Sequence, residues 1–150
     1  MAITAKWYCK ALEGQYGTTA ARRVDWVGDT IKVALATSSF TPNQDTQDFY
    51  DDLTNEVANG NGYTTGGATL GTKSVTFDGA TNTVALKAAT TSWTASTFTC
   101  RYAVIYKDTG TPSTSPLLGY VDLDGDQSVS SGTFSLVWDS TTGVMKLVAA

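Results

Sequence analysis

A chain of 150 residues, 41% apolar and only 16% charged, is long enough for one domain that buries roughly two thirds of its unfolded surface; its abundant Thr, Ser and Gly suit strands and turns rather than helices. A net charge of −4 with no basic cluster lacks the electrostatic footprint of a protein that grips phosphate backbones, which argues against a nucleic-acid partner. Histidine is absent, which removes the commonest general base, the commonest zinc ligand and every Ser-His or Cys-His nucleophilic pair.

The start, Met1-Ala2-Ile3-Thr4-Ala5-Lys6, has no basic segment followed by an unbroken apolar stretch. No signal peptide is expected there, and no run elsewhere approaches the length of a membrane span. Residues 3–12 place Trp7 and Cys9 on one parity and Lys6, Tyr8 and Lys10 on the other, the pattern of a strand with one buried face. Residues 14–23 are weakly patterned and read as a loop or short helical turn, with Arg22 and Arg23 answering Asp25 and Glu13. After the Gly28-Asp29 turn, Ile31, Val33 and Leu35 alternate on one face of a strand. Past Thr41-Pro42, residues Asp45, Asp48, Phe49, Tyr50 and Leu53 predict the one appreciable helix, its acids near the positive end.

Residues 55–71 are too glycine-rich for a core element and predict an extended surface loop, the first place to look for a partner contact. Next come two short strands, 73–77 and 83–87, in a hairpin that sets Val75 and Phe77 against Val84 and Leu86. Phe98, Cys100, Tyr102, Val104 and Tyr106 alternate with Thr99, Arg101, Ala103 and Ile105; both faces are fairly apolar, so this strand should be central. A Thr/Ser/Pro loop spans 109–116, a strand spans 117–123 and ends at Asp124-Gly125, and residues 132–138 and 143–148 close the chain as a pair. About eight short strands with one short helix predict an all-β single domain over 1–150, a β-sandwich or jelly roll.

Few groups in the sequence are arranged for chemistry. Asp122-Leu123-Asp124-Gly125-Asp126 is a weak metal candidate, because alternate carboxylates around a glycine can converge on calcium, yet the later bidentate glutamate of a calcium loop is missing. Asp45, Asp48, Asp51 and Asp52 read as a solvated helix face. Gly66-Gly67-Ala68-Thr69-Leu70-Gly71 lacks the lysine and the strand-to-helix context of a nucleotide loop. A glycosidase-type carboxylate pair from distant positions is the remaining enzymatic option, and no catalytic residue or cofactor is nominated. Cys9 and Cys100 stand in no metal or redox spacing and are expected as small buried or half-buried thiols, a bridge between them being the minority reading. Trp7, Trp26, Trp93 and Trp138 read as core or subunit-contact residues before a sugar platform.

Seven segments in order carry a resemblance. They are Asp25-Trp26 with Asp29-Thr30-Ile31-Lys32-Val33-Ala34-Leu35, then Tyr50 through Thr54-Asn55-Glu56-Val57, then Gly62-Tyr63-Thr64-Thr65-Gly66-Gly67. Arg101-Tyr102-Ala103-Val104-Ile105-Tyr106, Leu117-Leu118-Gly119-Tyr120-Val121-Asp122 and Gly132-Thr133-Phe134-Ser135-Leu136-Val137-Trp138-Asp139 follow. Together they resemble a family of small virion proteins of tailed bacteriophages, head decoration or cement proteins. The resemblance implies a non-enzymatic virion subunit, assembled in the bacterial cytoplasm. Its implied partners are the major capsid protein and its own copies, as a dimer or trimer at capsid symmetry axes, with no nucleic acid and no membrane. Under it the contacts would come from the N-terminal segment, about 1–23, with Trp7, Tyr8 and Tyr16, and from the 55–71 loop, with Asn59, Asn61, Tyr63, Thr64 and Thr65. The alternative from a different class is a host-surface or carbohydrate-binding module of a head or tail fibre.

Overall fold

The computed structural model describes residues 3–149, so the first two residues of the 1–23 segment lie outside the described residues. Among the described residues, eight strands form two antiparallel sheets, a β-sandwich with one α-helix. The larger sheet runs β1 (Lys6–Trp7), β7 (Leu117–Leu136), β6 (Thr91–Lys107), β2 (Ile31–Ala36), β3 (Ala68–Thr69); the smaller runs β4 (Ser74–Asp78), β5 (Thr83–Lys87), β8 (Met145–Val148).

The alternation in β2 is used on both sides, which makes the strand central. Ile31, Val33 and Leu35 join Ala103, Ile105, Leu118, Val144 and Met145 in one buried cluster. Ala34 and Ala36 join Val104, Tyr106, Leu117 and Tyr120 on the opposite face, where Tyr8, Ala11 and Phe40 cover them. Each fully buried large side chain of this kind contributes about 1.5–3 kcal/mol. Two indole N–H groups fasten the smaller sheet: Trp7 Nε1 donates to Lys146 O at 2.7 Å and Trp26 Nε1 to Lys87 O at 2.9 Å. Gly119 lets β1 approach β7 closely, since a Cβ there would collide with Lys6 O and the Met145 side chain.

The hairpin of residues 73–87 forms in the expected register, Val75 opposite Leu86 and Phe77 opposite Val84. Elsewhere the chain departs from expectation. Residues 3–12 are not one strand: after the two residues of β1 the chain turns into helix α1, Cys9–Tyr16. Lys10-Ala11-Leu12-Glu13 are strong helix formers, Lys10 and Glu13 pair one turn apart at 3.0 Å, and Tyr8 and Ala11 bury the inner side. The helix anticipated around 45–53 shrinks to a 3-10 turn, Tyr50–Asp52. Side chains there occupy the backbone donors that a helix would need: Asn43 Oδ1 takes the amides of Asp45 and Thr46, and Asp52 Oδ2 takes that of Asp48.

The strand expected at 117–123 and the first five residues of that expected at 132–138 are parts of one long strand, β7, paired with β6 from Tyr106↔Leu117 to Thr91↔Leu136. Register shifts interrupt the ladder, one of them between Cys100 and Tyr102, and there the Asp124-Gly125 segment bulges with φ of 60° and 127°. The bulge bends the pair, so Cys100 and Phe98 pack with the first cluster while Tyr102, of equal parity, packs with the second. Residues 145–148 pair with β5 rather than with 132–138.

Candidate functional site

Residues 55–71 are not wholly the surface loop expected: Ala68–Thr69 pair with β2 as strand β3, and Val57, Tyr63 and Leu70 enter the core, so the segment is held against the larger sheet. Val57 N donates to Leu35 O and Leu70 N to Ile31 O, each at 2.8 Å. A tight turn at Asn61-Gly62, with φ of 51° and 83°, closes through Gly60 N to Tyr63 O at 2.8 Å and Tyr63 N to Gly60 O at 3.0 Å. It is fastened to β6 by Thr97 N donating to Asn61 O at 2.9 Å. Gly67, with φ of 73°, passes so close to β2 that a Cβ would overlap Val33 O.

At the centre stands the Glu56 carboxylate. Tyr63 donates to Oε1 at 2.6 Å, Gly66 N to the same oxygen at 2.7 Å, and Tyr50 to Oε2 at 2.5 Å. Tyr63 also accepts the Leu35 amide at 2.9 Å, and Tyr106 donates to Gly66 O at 2.8 Å. Burial, with Glu56 alongside, pushes the Tyr50 and Tyr63 hydroxyls well above the ordinary tyrosine range. They stay protonated and keep donating. The result is a rigid loop in which a carboxylate, two phenols and an amide are saturated by one another.

Tyr63, expected as an exposed contact, is 2% exposed. Its ring lies 6.3 Å from Trp93 and 5.9 Å from Phe98, and its hydroxyl is taken by Glu56. The other expected loop contacts, Asn59, Asn61, Thr64 and Thr65, are among its exposed residues, and Asn59 Oδ1 accepts the Thr65 amide at 3.2 Å. Beside Thr65 opens a recess of about 230 Å³, lined by Lys32, Tyr50, Gly66, Tyr106 and Asp108 among others. Its tyrosines stack at 4.4 Å, and its charges neutralise each other at 2.9 Å. Such a recess offers an aromatic wall and hydrogen-bonding backbone to a visiting side chain, with no uncommitted carboxylate for acid–base work.

The N-terminal candidates divide. Tyr8 is fully buried, tilted against Tyr120 at 5.5 Å, and so offers no contact surface. Trp7 is half-buried, and Tyr16 is 79% exposed at the end of α1. Both line a second, apolar groove of about 240 Å³ together with Leu12, Val75, Leu86 and Leu147. The loop residues do not line this groove, so the two candidate sets occupy separate places.

Asp122, Asp124 and Asp126 are not gathered around a common point, and among the described residues no cluster of three potential metal ligands occurs. Arg101 donates to both Asp122 oxygens at 3.1 Å and holds that carboxyl below its ordinary range. Asp122 Oδ1 also accepts the Asp124 amide at 3.0 Å, shaping the bulge. The acids near residue 48 serve the fold too, Asp48 pairing with Arg22. Cys9 and Cys100 are both free thiols; contrary to the expectation of burial, Cys9 is exposed, whereas Cys100 is buried and pushed up to about 12 by desolvation.

Val75, Phe77, Glu56 and Tyr50 were not among the nominated contacts. For Glu56 the available signal was an acid between Tyr50 and Tyr63 near the start of the glycine-rich loop. Among the described residues, no helix is long and apolar enough to cross a membrane. A scan against protein-family models finds no match, and neither the curated proteins nor the solved structures contain one.

Proposed function

We propose that this chain is a structural virion protein of a tailed bacteriophage, a decoration or cement subunit that stabilises the head by bridging major capsid protein subunits. The observation that carries the reading is the construction of the 55–71 loop. Glu56 takes three donors to hold a glycine-rich ribbon rigid, and Asn59, Asn61, Thr64 and Thr65 stand exposed on it. A surface ordered before binding loses little conformational entropy on docking, which suits a subunit that must add weak contacts many times over a symmetric shell. The ordered segments that resemble phage virion proteins include this loop, at residues 62–67.

The test is co-sedimentation with capsids assembled from the major capsid protein of the phage that carries this chain. The protein should pellet with shells at a saturating, symmetry-related ratio and raise their disruption temperature. Replacing Asn59, Asn61, Thr64 and Thr65 together by Ala should weaken binding tenfold or more while the folded chain remains intact. Protein that stays in the supernatant at saturating capsid concentration overturns the reading.

A further inference from the structure

Strand β4 is the bare place on this molecule. All five of its residues are exposed, it forms one edge of the smaller sheet, and its ladder to β5 has no irregularity. The devices that normally protect an edge are missing from its interior: Ser74-Val75-Thr76-Phe77-Asp78 has no proline, no bulge and no lysine. The other sheet edges differ. β1 and β3 are two residues long, and β8 carries Lys146. On one face of β4 stand Val75, 49% exposed, and Phe77, 71% exposed. They continue the apolar surface of Val84, Leu86 and Leu147 to which they or their neighbours are paired, and Val75 borders the groove with Tyr16.

We infer that this edge is a self-association surface on which the β4 strand of a second copy pairs antiparallel about Thr76, joining two three-stranded sheets into one of six. Three features select a second copy as the occupant. A two-fold axis through Thr76 keeps every residue on its own face and sets Val75 opposite the partner copy's Phe77, and Phe77 opposite its Val75, the β-branched–aromatic pairing that stabilises sheets. Lys73 precedes β4 and Asp78 ends it, so antiparallel pairing brings the basic end of one strand to the acidic end of the other, whereas parallel pairing would align like charges. Val75, Phe77 and, across the groove from Val75, Tyr16 together expose roughly 400 Å² of side chain per copy, so a pair has up to about 800 Å² available to cover beside the strand backbones, of the order of the ~1,000 Å² expected of a specific interface. The proposal stands on the edge strand and not on capsid binding.

Sedimentation equilibrium of the purified chain tests it. A concentration-dependent dimer is expected, with Phe77→Lys and Val75→Lys each weakening it about tenfold or more while the circular dichroism of the monomer is unchanged. In a Cys9→Ser background, Thr76→Cys should cross-link to its own copy under mild oxidation, because directly opposed residues of an antiparallel pair lie within disulfide reach. Should one lysine variant fold poorly, the other and the cross-link decide. A monomer up to about 100 μM, or a dimer indifferent to these substitutions and unreactive through Thr76→Cys, overturns it. No capsid enters the assay, so a monomer that still decorates shells refutes only this surface, and a dimer that ignores shells refutes only the capsid reading.

Discussion

The glycine-rich loop and the β4 hairpin exchange the roles that their sequences advertise. Residues 55–71 read as the exposed partner-seeking segment, yet their aromatic ring, Tyr63, is buried to 2% and hydrogen-bonded at both ends of its hydroxyl. The hairpin reads as ordinary sheet, yet its aromatic ring, Phe77, is left 71% in solvent. Glycine content measures how sharply a chain can turn, and alternation measures which residues share a face. Neither says whether that face is covered.

The sharpest way to break the comparison is to delete both rings. Tyr63→Ala should cost about 3–5 kcal/mol in urea denaturation, the usual loss for a buried aromatic, while Phe77→Ala in dilute protein should shift stability by less than about 0.5 kcal/mol. Equal losses would contradict the exchange. Glu56→Ala comes next, at about 2–3 kcal/mol, because it leaves the Tyr50 and Tyr63 hydroxyls and the Gly66 amide without their acceptor. Glu56→Gln, which retains an acceptor, should recover part of it.

Alkaline titration sharpens the same contrast. Burial raises the folded-state pKa of Tyr8 and Tyr63 above the unfolded value of 10.0. Their contribution is therefore complete below about pH 10 and lost as pH rises beyond it, by up to ~1.4 kcal/mol per pH unit for each. Tyrosinate absorbance from Tyr8 and Tyr63 should appear only with cooperative unfolding. The smallest effect is a difference in thiol reactivity. Native protein should label once with a thiol reagent, at exposed Cys9, and a second time on unfolding, at Cys100.

Much of the fold was legible where one residue pattern had one structural solution. Ile31, Val33 and Leu35 marked β2, and the 73–87 hairpin kept its register. The failures came where side chains competed with the backbone or where the ladder changed step. Asn43 and Asp52 dissolved an expected helix by bonding its amides, and Lys10 to Glu13 carried helix propensity beneath a pattern that also fits a strand. The bulge at Asp124-Gly125 turned an apparent strand end into the bend of a continuous strand. At the candidate site the position of the loop could be read from its glycines. The inward turn of Tyr63 could not, because it depends on Glu56 in the loop, Leu35 on β2 and Trp93 and Phe98 on β6 meeting from three separate segments.

Residue-level imaging of the phage particle proposed to carry this chain tests the central claim most directly. The account predicts copies seated on the shell with Asn59, Asn61, Thr64 and Thr65 against major capsid protein and Tyr63 still inside its own fold. A shell without the chain, or copies whose 55–71 loop faces solvent while another surface makes every capsid contact, would contradict it.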